Sequence, residues 1–145
     1  MFKIPYEFAG TEADLFEFKD FKAACYCLQN YGTIKVISTD PLRYPNNYYF
    51  ATCSDYDGEF ILLFNFYNKI IGYKRGLDDI EFIDKDSASN LLKEIDQSFT
   101  IPKASDLNEV IGKEHLSELA ASDAKEVKFF SPANVGGALF SADYD

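Results

Sequence analysis

The chain has 145 residues and a formal net charge of −10, from 24 Asp and Glu against 14 Lys and Arg, with one His. That sign repels nucleic acid and anionic membrane surfaces, and a lone histidine with no second metal-ligand pair argues against a zinc site and against Ser/Cys-His nucleophilic catalysis. A chain of this length buries roughly 70% of its unfolded surface, so a core forms without disulfide staples.

From the N-terminus, Thr11 followed by Asp14 resembles a helix cap, and a helical pattern runs to Tyr31. Phe18, Phe21, Cys25 and Leu28 fall three, four and three apart, hence on one face, and Gly32 is placed to end the helix in a left-handed conformation. Residues 33–39, TIKVIST, read as a first strand. Asp40, Pro41, Pro45, Asn46 and Asn47 then make a loop that exposes Arg43 and Tyr44.

The most strongly patterned stretch is 48–74. Tyr48 to Cys53 is a strand, residues 54–58 form a turn containing Asp57-Gly58, and Glu59 to Tyr67 is the next strand. Phe60, Leu62, Phe64 and Phe66 alternate with Ile61, Leu63, Asn65 and Tyr67, so both faces of that strand are largely apolar. Such a strand belongs in the middle of a sheet covered on both faces, or covered on one and reserved for a partner on the other. Asn68-Lys69 turns the chain back through residues 70–74.

The acidic run LDDIEFIDKD follows, with a short strand at Ile80, Phe82 and Ile83. Asp86 or Ser87 caps a helix from Ala88 to about Gln97, burying Ala88, Leu92, Ile95 and Phe99, and Pro102 closes it. Ser105 caps a further helix carrying Leu107, Val110 and Ile111, and a second helical piece over 113–122 buries Leu116, Leu119 and Ala120. Residues 127–131 and 135–140 read as closing strands around a Pro132-Ala133-Asn134 turn, although Gly136 and Gly137 weaken the second. No repeat, low-complexity tract or linker interrupts the chain. The order implies an α+β fold: one domain over 1–145, a mostly antiparallel central sheet of about five to six strands, an N-terminal helix and C-terminal helices packed on it.

Cys25, Cys27 and Cys53 are odd in number, which fits a reducing compartment, and Cys25 lies on an apolar stripe as a small hydrophobe. The N-terminus has no uninterrupted apolar stretch of signal-peptide type, and no window is apolar enough to cross a membrane, so a cytoplasmic protein is expected. His115 and Glu118 read as a helix-surface pair. No Gly-rich phosphate loop is present, and the carboxylates are too numerous to single out a catalytic couple. These readings predict no catalytic residues, no metal, no cofactor, and no nucleic-acid or membrane partner.

What remains is a surface for a basic protein. The turn holding Asp55, Tyr56, Asp57 and Glu59 and the segment holding Asp78, Asp79, Glu81, Phe82, Asp84 and Asp86 each combine carboxylates with an aromatic anchor. Aromatic anchors supply contact energy at low entropic cost, and acidic surroundings speed encounter with a positive partner. Tyr48, Tyr49 and Tyr67 are further aromatics expected at the surface.

The stretch YYFATCSDYDGEFILLFNFYNKIIGY and the ending PANVGGALFSADYD resemble bacterial immunity proteins that neutralise polymorphic or contact-dependent growth inhibition toxins. The ending departs from that pattern at Ser141, where Asn is more typical, and at Tyr144, where Trp is. The resemblance implies a non-enzymatic inhibitor of one cognate basic toxin domain, commonly a nuclease, bound stoichiometrically. The competing expectations are a small-molecule or peptide-binding domain, with a pocket between the 59–67 strand and the C-terminal helices, and an enzyme working through carboxylates and tyrosines.

Overall fold

The computed structural model describes residues 17–41, 47–113, 115 and 132–140. Their order is α1 (Phe18–Tyr31), β1 (Lys35–Asp40), β2 (Tyr48–Asp55), β3 (Gly58–Asn65), β4 (Ile70–Lys74), α2 (Asp86–Ile95), α3 (Ala104–Leu107) and α4 (Val135–Leu139). The strands form one open antiparallel sheet in the order β1-β2-β3-β4, so the architecture is α+β. Expected features at Thr11, Asp14, Arg43, Tyr44, Leu116, Leu119 and Ala120, and the expected strand at 127–131, lie outside the described residues.

Both faces of the sheet are covered, which accounts for the double apolar character of β3. On one face Phe60, Leu62 and Phe64 pack with Ile71 and Tyr73 beneath Phe21, Cys25 and Leu28 of α1 and Ala88 and Leu92 of α2. On the other, Ile61, Leu63 and Ile70 pack against Phe82, Leu107, Val135, Leu139 and Phe140. Each large side chain fully withdrawn from water contributes roughly 1.5–3 kcal/mol, so β3 anchors two cores at once. The edge strand β1 carries an irregularity between Val36 and Ser38.

Two of the expected strands are absent from the sheet, each for a local reason. Around Ile80–Ile83 only Ile83 pairs, its amide donating to the Tyr73 carbonyl at 2.8 Å. The backbone of Phe82 is satisfied instead by one side chain: its amide donates to Asn108 Oδ1 at 2.6 Å and its carbonyl accepts from Asn108 Nδ2 at 2.9 Å. A backbone saturated by an asparagine fork has no use for a neighbouring strand.

Residues 135–139 are a short helix rather than a strand, because Asn134 caps them, its Oδ1 accepting from the Gly137 amide at 2.8 Å. Gly136 lets this helix lie directly on Phe82; a Cβ there would overlap the ring.

Smaller corrections follow the same logic. Gly32 ends α1 in an extended conformation (φ −127°), its amide reaching the Leu28 carbonyl at 3.0 Å. The helix α2 stops at Ile95, which is 37% exposed rather than buried, while Phe99 is buried beyond the helix end. Ser105 does not cap α3; the Asp84 carboxylate does, its Oδ1 accepting from the Ala104 amide at 2.8 Å. His115 is buried rather than on a helix surface, and its Nδ1 accepts from the Gly112 amide at 2.9 Å. Tyr48 is buried, and Tyr49 and Tyr67 are half-buried, so these rings belong to the fold.

Candidate partner-binding surface

The hairpin joining β2 to β3 turns through Tyr56 and Asp57, with Asp55 opposite Gly58. Neither turn residue is left-handed; Gly58 takes the positive dihedral (φ 107°) that follows such a turn, which an L side chain rarely adopts. Asp55 sets the turn, its Oδ1 accepting from the Asp57 amide at 2.9 Å. The outcome is a tight turn from which Tyr56 projects, 92% exposed.

Lys85 reaches this tip from the far end of the acidic segment. It is only 7% exposed, and its Nζ lies 2.9 Å from Asp55 Oδ2, 3.6 Å from Asp57 Oδ2 and 4.8 Å from the centre of the Phe60 ring. Arg75 makes a second link, its Nη1 donating to the Asp57 carbonyl at 3.3 Å. Burial would raise the Asp55 carboxyl's pKa; hydrogen bonds from Lys85 and the Asp57 amide, with the charges of Lys85 and Arg75, outweigh it and hold the group below its usual range.

From Arg75 the surface continues into an open depression of about 530 Å³ lined by Arg75, Asp78, Asp79, Ile80, Glu81 and Ile83. Ile80 is 67% exposed at its rim. The Asp79 carboxylate also accepts from the Gly76 amide at 3.1 Å, fixing the loop that carries it. Beside the depression Lys74 lies 4.8 Å from the centre of the Phe82 ring. Burial lowers the Lys74 pKa, while the charges of Asp79 and Asp78 act against that shift.

The ten residues singled out from the sequence therefore divide. Asp57, Glu59, Asp78, Asp79, Glu81 and Asp86 are exposed, and Tyr56 is an exposed anchor. Asp55 is largely used up by Lys85, and Asp84 is committed to α3. Phe82 is not a surface anchor: at 1% exposure it is a core residue, its ring tilted at 36° against that of Phe140 and closed over by Gly136. The exposed apolar side chain of this segment is its neighbour Ile80.

Three residues that the sequence reading passed over join the surface. Lys85 and Arg75 hold it together; a lysine inside LDDIEFIDKD reads as one more solvated charge, and nothing in the sequence marks it as buried. Val110, expected inside a helix, is 76% exposed just past α3. The segments that carry Val110 and Ile80 are both tied to the start of α4: Asn134 Nδ2 donates to the Ile80 carbonyl at 2.9 Å, and the Val135 amide to the Glu109 carbonyl at 2.9 Å.

Other chemistry has less to work with. Among the described residues, no group of three or more His, Cys, Asp or Glu could hold a metal ion. Burial drives the Cys53 thiol up to about 12 and raises Cys25 as well, the opposite of what a nucleophilic thiolate needs. No described helix is long and apolar enough to cross a membrane. No family model matches the chain, and neither a curated protein nor a solved structure matches it.

Proposed function

We propose that this chain is an immunity protein, which neutralises a basic toxin domain of nuclease type by one-to-one binding. The supporting observation is the junction at Lys85 and Arg75, which joins the 55–59 turn and the 78–86 segment into one acidic surface with Tyr56 and Ile80 standing out of it. Exposed apolar anchors ringed by carboxylates suit a partner whose own contact face is cationic, as a nucleic-acid-binding face is. The pocket reading has lost its location, since the second face of β3 is filled by Phe82, Leu107, Leu139 and Phe140.

The test is co-expression with the toxin domain encoded beside this gene. A one-to-one complex that abolishes toxicity is the expected result; the absence of any such neighbour, or a toxin that kills undiminished in the presence of this chain, overturns the reading. Within the complex, Asp78→Lys and Glu81→Lys together should slow association by about tenfold at low salt, with the loss shrinking as ionic strength rises. Asp79 and Asp84 are left untouched because their reversal would also free the loop at Gly76 and uncap α3.

A further inference from the structure

Lys85 is the only charged side chain among the described residues to be buried, and it stands near the end of an acidic segment whose other charges are exposed. Burying an ammonium is unfavourable unless it is paired, and an apolar residue of similar volume would serve the core on Phe60 at least as well. A charge kept there despite that penalty needs a reason outside packing. The geometry supplies one, because the two carboxylates that meet Lys85 flank Tyr56, the most exposed large hydrophobic side chain described. We infer that Lys85 is a positioning residue, an ionic strap that pins the β2–β3 turn to the 78–86 segment and holds Tyr56 in one pose for a partner.

The strap works from both sides of the tyrosine. Asp55 precedes it and Asp57 follows it; the single ammonium hydrogen-bonds the first carboxylate and lies 3.6 Å from the second, while the Asp55 carboxylate at the same time accepts the Asp57 amide. Without Lys85 the turn keeps the strand pairing of Asp55 with Gly58, that local bond and the long contact from Arg75 at 3.3 Å, none of which reaches the 78–86 segment. A mobile Tyr56 would have to be ordered at the moment of binding; a strapped one is already in place. That a partner uses this pose rests on the binding reading above; the strap itself does not.

Hydrogen exchange on the whole protein tests the strap with no partner present. In Lys85→Met the amides of Asp57 and Gly58 should exchange about tenfold faster, while those of Leu62 and Leu63 in the middle of β3 keep their protection. Asp55→Asn, which keeps an oxygen for the Asp57 amide but removes the charge facing Lys85, should shift the same two amides in the same direction by a smaller factor. Should Lys85→Met lose protection throughout, Asp55→Asn decides alone. Unchanged exchange at Asp57 and Gly58 in either folded variant overturns the strap.

The toxin domain that binds the wild-type chain gives the second readout. Lys85→Met makes the surface more negative by one charge, so Coulomb attraction alone predicts tighter binding of a basic partner. The strap predicts the reverse: an association rate as fast as before or faster, and dissociation accelerated about tenfold. Tighter binding in Lys85→Met overturns the positioning role even where the exchange result stands.

Discussion

The two hairpin turns of the sheet use one device in two chemistries. At the β2–β3 turn, Asp55 accepts a turn amide with Oδ1 and meets a distant side chain, Lys85, with Oδ2. At the β3–β4 turn, Asn65 accepts the Tyr67 and Asn68 amides with Oδ1, each at 3.0 Å, and donates through Nδ2 to the Leu139 carbonyl at 2.7 Å. Each side chain shapes its own turn and ties it to a distant element. The asparagine is buried, neutral and attached to the C-terminal helix, whereas the aspartate is charged, partly exposed and attached to the acidic segment. The first arrangement serves the fold. The second leaves a charged turn partly in water, tied back to the acidic segment by Lys85.

Breaking the buried turn should have the largest effect. Asn65→Ala removes, at a fully buried position, the acceptor of two turn amides and the donor to the Leu139 carbonyl. A loss of about 3 kcal/mol is expected, read as a fall in the denaturation midpoint with an unchanged slope. The companion change Asp55→Ala should lose less, about 2 kcal/mol, because the buried Lys85 keeps Asp57 at 3.6 Å and the turn lies partly in water. Equal losses at the two sites would dissolve the contrast between them.

The contrast also marks what could be read from the chain. The hairpins were legible because alternation and turn chemistry are local: Asp57-Gly58 and the unbroken apolar run of β3 lie within a few residues of what they determine. Positions fixed by residues distant in sequence were not. Phe82 and Ile80 share a parity that would place them on one strand face, yet Asn108, 26 residues on, captures the Phe82 backbone and turns its ring inward. Asn134 looked like a turn residue, and only its bond to the Gly137 amide makes it the start of a helix. The candidate surface followed the same rule. Its carboxylates are visible in the sequence, but the burial of the lysine among them is not, and Phe82, expected at the surface, is buried while its neighbour Ile80 is exposed.

The smallest and most specific prediction concerns acid. Asp55 is held below its ordinary value in the folded protein, so its ionised form favours the native state. That contribution is fully present above the unfolded value of about 4 and is lost as pH falls through the folded one. Asn65 does not titrate. Lowering the pH from 6 to 3 should therefore reduce the protection factor of the Asp57 amide by roughly two- to threefold relative to that of the Asn68 amide. Asp96, also held low, by bonds from Ser98, lies near the β3–β4 turn through Lys69, at 3.8 Å, and so works against that difference. In Asp55→Asn the part of the acid effect that belongs to the strap should vanish while the part due to Asp96 remains. Acid loosening that is the same at both turns, or that persists undiminished in Asp55→Asn, would show that the exposed turn is not held by its charge.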